Sequence, residues 1–188
     1  DVIPDIVSGA KEMRTGKEKP YKFPTRIPEC GGDGKIMRVA GEAAWKCVAK
    51  DSFTQIKRKF YHFVSRKCFD VDGLGPKIID LLLDNNLIVR SSDIFDLKKG
   101  DLLALPRFAE KSVDNLLSSV EKSRQITLPK FLFSLSIPQV GEETAIDIAK
   151  RFGTIEKIGE ASMEDLESIS GVGPKVAESI INWFKDKQ

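Results

Sequence analysis

Backbone amides, more than side chains, are the first groups in this chain with chemistry to offer. Residues 166–180 read Leu-Glu-Ser-Ile-Ser-Gly-Val-Gly-Pro-Lys-Val-Ala-Glu-Ser-Ile. The apolar face of Leu166 and Ile169 stops at Gly171-Val172-Gly173 and restarts at Val176, Ala177 and Ile180 with helical spacing. That spacing predicts a helix, a tight turn and a second helix. Glycine on both sides of Val172 permits backbone angles that a side chain opposes, and Val172 can fill the groove between the helices. Pro174 sits in a first turn, where its missing N–H costs nothing. The unpaired N–H groups that open the second helix then form a small anion site.

The elements that position this turn recur. Placing Gly173 under Gly141 aligns Val172 with Val140, Ala177 with Ala145 and Ile180 with Ile148, a step of 32 residues. A further 32 reaches Ala109, with Phe108 as the plug and Val113 and Leu116 on the returning face. Another 34 reaches Gly75 within Gly73-Leu74-Gly75-Pro76-Lys77, followed by Ile79 and Leu82. The periodicity predicts a mostly α fold with four tandem hairpins over residues 69–184. The pattern resembles the helix-hairpin-helix motif, and the resemblance implies that each turn grips a nucleic-acid phosphate through its amides without reading bases.

Carried onto this chain, the resemblance marks Gly73, Gly75, Lys77, Arg107, Lys111, Gly141, Gly171, Gly173 and Lys175 as the DNA-binding positions. The first and fourth repeats keep both glycines and the same Gly-x-Gly-Pro-Lys order, whereas the second reads Arg107-Phe108-Ala109 and the third Gln139-Val140-Gly141. The first and fourth are therefore expected to be the better phosphate grips. Arg107 either supplies a charged contact where glycine was lost or is a solvated surface arginine. An all-helical packing module, in which glycines only allow close helix contact, stays open as the alternative.

The 188 residues suit one or two domains, and a hydrophobic content of 41% is enough for a core. Net charge is only +2, but residues 1–67 carry 15 Lys/Arg against 8 Asp/Glu, while residues 68–188 carry 15 against 20. A basic first third ahead of acidic repeats fits a nucleic-acid binder whose repeats use backbone amides instead of a carpet of lysines. No apolar run approaches membrane-spanning length and no signal peptide is visible. Three cysteines suggest a reducing, cytosolic setting.

Residues 1–9, Asp-Val-Ile-Pro-Asp-Ile-Val-Ser-Gly, read as a strand bounded by turn residues, and the absence of a partner strand predicts a fragment cut inside a β domain. Residues 11–22 carry four lysines and an arginine and read as an exposed linker or long turn. Three segments then follow in order: Pro24-Thr-Arg-Ile-Pro-Glu-Cys-Gly-Gly, Gly41-Glu-Ala-Ala-Trp-Lys-Cys, and His62-Phe-Val-Ser-Arg-Lys-Cys-Phe-Asp-Val-Asp-Gly-Leu-Gly-Pro-Lys. With the four hairpins, they resemble the C-terminal half of bacterial NAD-dependent DNA ligases. The resemblance implies residues 1–23 as the terminal strand and linker of a truncated oligonucleotide-binding (OB) fold. It implies residues 24–67 as a zinc-finger-like subdomain with a basic helix, and residues 68–188 as a four-repeat DNA-binding domain.

The departure from that family is at the metal site. Four thiolates hold zinc tetrahedrally in the family pattern, and the matching positions here are Ile27, Cys30, Cys47 and Ser52. Two thiolates cannot close a structural site, so no metal is expected, and the finger's shape is expected to rest on packing of Ile27, Trp45 and Phe53. Cys30 and Cys47 can bridge only if their Cα atoms lie within disulfide range.

Residues 53–65 read as an amphipathic helix with Phe53, Ile56, Phe60, Phe63 and Val64 on one side and Lys57, Arg58 and Lys59 around the other. His62 falls on the polar side and is expected to be an ordinary surface histidine. Leading helices are expected around residues 102–105 and 161–169, the latter capped by Ser162 before Glu164-Asp165.

The family takes adenylate from NAD on the lysine of a Lys-x-Asp-Gly motif; no such tetrad occurs here, so the chain is expected to be non-catalytic. The resemblance thus implies a clamp for nicked duplex DNA, monomeric, in a bacterial cytoplasm near the nucleoid. It belongs to an enzyme that seals nicks in replication and repair with NAD and Mg, neither held by this portion. Competing classes are a helix-hairpin-helix accessory module of a repair nuclease and a protein-binding scaffold.

Overall fold

The computed structural model describes residues 7–38, 44–49 and 52–186. The strand expected at Asp-Val-Ile-Pro lies outside the described residues. Packing divides the chain into two units, residues 1–50 and 51–188.

In the first unit, residues 7–26 are exposed throughout, with one 3-10 turn at Lys11–Met13. The Glu18 carboxylate staples the next bend by accepting from the Thr15 hydroxyl and from the amides of Thr15 and Gly16. A second 3-10 turn, Pro28–Cys30, makes a tight knuckle in which the Ile27 amide donates to Gly34 O at 2.7 Å. A Cβ on Gly34 would lie 2.8 Å from Ile27 O, so only glycine closes this knuckle. Strands β1 (Ile36–Arg38) and β2 (Trp45–Cys47) pair antiparallel with Ile36 opposite Cys47 and Arg38 opposite Trp45. The sequence reading missed this ribbon. Three-residue strands carry too little alternation to register.

The packing expected of Ile27, Trp45 and Phe53 is replaced by a different arrangement. Trp45 stacks on Phe23 with ring centroids 4.6 Å apart, and Phe53 belongs to the second unit, where it is half exposed beneath the Lys57 ammonium. A flat aromatic face beside Trp45 was available closer in the chain, and it won.

Among its described residues the second unit contains nine α-helices. They are α1 (Phe53–Phe63), α2 (Pro76–Asp84), α3 (Lys99–Leu103), α4 (Glu110–Ser123), α5 (Leu128–Ser134), α6 (Glu142–Phe152), α7 (Ile155–Gly159), α8 (Met163–Glu167) and α9 (Pro174–Lys185). A 3-10 segment, Ser91–Asp96, lies between α2 and α3. Local chemistry explains most starts. Ser52 caps α1 by accepting from the Gln55 amide at 3.2 Å, and Ser162 and Asp165 form the reciprocal box that opens α8.

Helix pairs turn through four corners that share one geometry. The residue three before the start of each returning helix is left-handed: Gly73 (φ 82°), Arg107 (72°), Gln139 (66°) and Gly171 (84°). The next residue is the plug, with Leu74, Val140 and Val172 buried and Phe108 half-buried. The residue after that is extended in every case, at Gly75, Ala109, Gly141 and Gly173. The first two corners share one core, through Leu74, Ile79 and Leu82 with Leu102, Leu105 and Val113. The last two share another, through Ile137, Val140 and Ile148 with Leu166, Val172 and Ile180. Helix α5 serves both, since Phe131 packs on the first core and Leu132 lies in the second.

His62 is not the surface residue expected. It is partly buried, its Nε2 lies 2.8 Å from Phe133 O, its ring meets Phe133 edge-on and Cys68 Sγ lies 3.5 Å away. The ring thus pins α1 to α5. The apolar face of α1 expected from the sequence buries Phe60, Phe63 and Val64, while Lys57 turns to Asp80 at 3.0 Å and is not left along a solvent face.

Two measurements test these local arguments. Gly171→Ala forces a side chain into the left-handed region and costs about 1–2 kcal/mol in urea unfolding; Gly173→Asp, at an extended cap position, costs nothing measurable. Asp80 sits below its usual pKa because hydrogen bonds from Tyr61 and Lys57 outweigh the opposing effect of burial. Burial, and then the bond to Asp80, push Tyr61 up to about 12. Asp93 is held low by the Arg90 and Val89 amides. The unfolded chain therefore binds more protons through the carboxylate range. These carboxylates stabilise the fold fully above their ordinary pKa, and that contribution is lost as pH falls through the depressed values. Urea midpoints should fall steadily on acidification below about pH 5, with a shallower slope in Asp80→Asn.

Candidate nucleic-acid interface

An α-helix begins with N–H groups that have no intrahelical acceptor, and the four corners differ in what each does with them. At the fourth corner the amides of Gly171, Gly173 and Lys175 find no acceptor among the described residues, and Pro174 contributes no N–H. At the first corner the Gly73 amide donates to Asp72 Oδ1 at 3.0 Å, while those of Gly75 and Lys77 have no acceptor among the described residues.

At the second corner the Ala109 amide already donates to the Ser112 hydroxyl at 2.9 Å, which in turn donates to Ala109 O. Ser112 thus takes the one amide that matches those of Gly75 and Gly173, while the amides of Glu110 and Lys111 have no acceptor among the described residues. At the third corner the Gly141 amide has no acceptor among the described residues, but α6 opens with Glu142 and Glu143. Those carboxylates suit the positive end of a helix and oppose an incoming phosphate there. Glu142 also holds Lys67 in an exposed ion pair at 2.6 Å, which raises the lysine's pKa, first through the hydrogen bond and then through charge.

Side-chain charge follows the same division. The second residue of the returning helix is Lys77, Lys111, Glu143 and Lys175 at the four corners in order. Lys77, Lys111 and Lys175 are exposed and make no ion pair among the described residues. The reversed charge at Glu143 was in plain view in the sequence, and aligning the glycines alone passed over it. Arg107 is exposed and left-handed, so its side chain occupies a position that glycine fills at the first and fourth corners.

The two glycines of a corner have different jobs. Gly73 and Gly171 are needed for their backbone angle. Gly75, Gly141 and Gly173 are extended, and a Cβ added to any of them meets nothing within 4 Å. The fold itself gives no reason for glycine at these three. What the missing side chains leave is an open approach to the amides.

The residues matching the family's zinc ligands do not fit a metal. Cys30 and Cys47 are joined in a disulfide with Cα atoms 5.4 Å apart. Ile27 offers only its backbone, which is committed to the knuckle, and the Ser52 hydroxyl is buried as the cap of α1. No three His, Cys, Asp or Glu side chains gather in a ligand set among the described residues. Among those residues, too, no helix is long and apolar enough to cross a membrane.

Comparison with known proteins agrees with this geometry. The helix-hairpin-helix motif family (HHH_2) matches residues 130–188, which cover the third and fourth corners. The chain is 40% identical over 185 residues to the DNA ligase of Halalkalibacterium halodurans, with 98% of the chain and 27% of the relative covered. The DNA ligases of Anoxybacillus flavithermus and Bacillus subtilis are 39% and 36% identical over 188 residues, the whole of this chain and 28% of each relative. The chain therefore spans a little over a quarter of the length of these curated relatives. Similarity that runs the full length of this chain but only part of each relative, ending in helix-hairpin-helix turns with open amides, fits a C-terminal portion of a DNA ligase.

Proposed function

We propose that this chain is the non-catalytic, sequence-independent duplex-DNA clamp of an NAD-dependent DNA ligase, and that all four corners descend from helix-hairpin-helix motifs. The observation that carries the reading is the open glycine at Gly75 and Gly173, where nothing in the fold asks for glycine and the amides face solvent. A phosphate oxygen accepts such amides in line with the helix dipole, with Lys77 or Lys175 adding a point charge. In this reading the first and fourth corners hold phosphates flanking a nick. The second corner is closed by Ser112, and the third is kept from phosphate by Glu142 and Glu143. Adenylation with NAD and Mg, and sealing itself, are work for the rest of such a ligase. The molecule acts as a monomer on nicked duplex in a bacterial cytoplasm.

A scaffold reading draws on the same second and third corners, where a hydroxyl takes one amide and two exposed carboxylates open the returning helix. Titration of this chain against nicked and intact duplexes of unrelated sequence, over a range of salt, separates the two. Clamping predicts affinity that ignores sequence and falls linearly with the logarithm of salt. Gly75→Asp and Gly173→Asp place a good helix cap, and a carboxylate, where the phosphate would sit. Each should weaken binding about tenfold at low salt, while Ala109→Asp and Gly141→Asp, with the same charge change, should do much less. Equal losses at all four would assign the effect to bulk charge and sink the two-corner reading. No binding at low salt would leave the scaffold.

A further inference from the structure

We propose that the Cys30–Cys47 disulfide is a redox-responsive clasp that sets the order of the first unit. The unit buries few apolar side chains among its described residues. Its buried apolar side chains among the described residues are Cys30 and Ile36, and its sheet is a pair of three-residue strands. The knuckle of residues 27–34 closes through its own backbone, with Ile27 and Gly34 bonded directly. Its ties to β2 include the ladder from β1, the Val48 amide on Lys35 O and the bridge itself, which closes a separation of 17 residues. Opening that bridge returns conformational freedom to the chain it closes, where Cys30 and Ile36 are the buried apolar side chains among the described residues.

The two sulfurs are unequal in access. Cys30 is buried at 4% exposure and Cys47 is only half-buried, so a reductant meets the Cys47 side first. The thiolate of a small dithiol attacks Cys47 Sγ, the Cys30–Cys47 bond breaks, and Cys30 leaves as a thiolate that takes a proton. The second thiol of the reagent then displaces Cys47. The products are two protein thiols and one cyclic disulfide, two electrons having passed from reagent to protein. Cys68, the chain's third cysteine, is a buried free thiol in the second unit and takes no part.

Trp45 reports on the clasp, lying two residues from Cys47 and stacked on Phe23. In Trp183→Phe protein, equilibration across ratios of reduced to oxidised dithiothreitol, followed by alkylation and intact-mass measurement, should show two cysteines opening together as the ratio rises. Trp45 emission should change over the same range, and tryptic cleavage after Lys35 and Arg38 should rise by up to about a hundredfold. Cys30→Ser and Cys47→Ser should behave as the reduced protein at every ratio. A bridge that stays closed in excess dithiol would make it a fixed structural bond. Two free thiols at every ratio would mean no clasp forms. Opening without a change in Trp45 emission or cleavage would show that the bond controls nothing. Any of these overturns the proposal, and the wild-type titration decides even if a serine variant fails to fold.

Discussion

A chain that leaves one helix and starts the next within a handful of residues has to reverse direction, and here it does so by placing one residue in the left-handed region at every corner. The constraint is steric, because a Cβ crowds the following carbonyl oxygen there. Two corners meet it with glycine and two with Arg107 and Gln139, yet all four arrive at the same extended cap and the same inward plug. That the geometry survives the loss of glycine shows the plug and the shared cores to be strong enough to hold a disfavoured backbone in place. Everything above the corner, including the exposure of its amides, is inherited from that reversal.

The shape of a corner and the state of its amides are therefore separable in this molecule. All four corners are good turns. They part company in what surrounds the amides: solvent and a lysine at Gly75 and Gly173, an internal hydroxyl at Ala109, and a pair of carboxylates after Gly141. A side chain that satisfies an amide from within stabilises the helix by the same interaction that an external anion would supply. Self-capping and an external anion thus compete for one group, and at Ala109 the Ser112 hydroxyl has taken it.

Much of this was legible in the sequence, since the repeat spacing, the plugs at Leu74, Val140 and Val172 and the capping role of Ser162 all rest on local periodicity or on one residue's hydrogen-bonding habit. What escaped was set by partners distant in the chain. His62 looks polar in a helical projection, and only Phe133, 71 residues away, makes it a bracket. Lys57 looks free until Asp80 is placed beside it. Trp45 needed a stacking partner, and nothing in spacing singled out Phe23 over Phe53. The two metal positions without cysteine were visible as losses, but the new work of Ser52 as a helix cap became apparent only with the Gln55 amide in place.

Helix α5 lends Phe131 to one core and the adjoining Leu132 to the other, and Phe133 gives its carbonyl to His62. Three consecutive residues thereby rivet together two hairpin pairs, which the Lys67–Glu142 ion pair also links. One seven-residue helix therefore sets the placement of the first hairpin pair against the second. A substitution that shifts α5 would therefore disturb both cores at once, however local its own contacts.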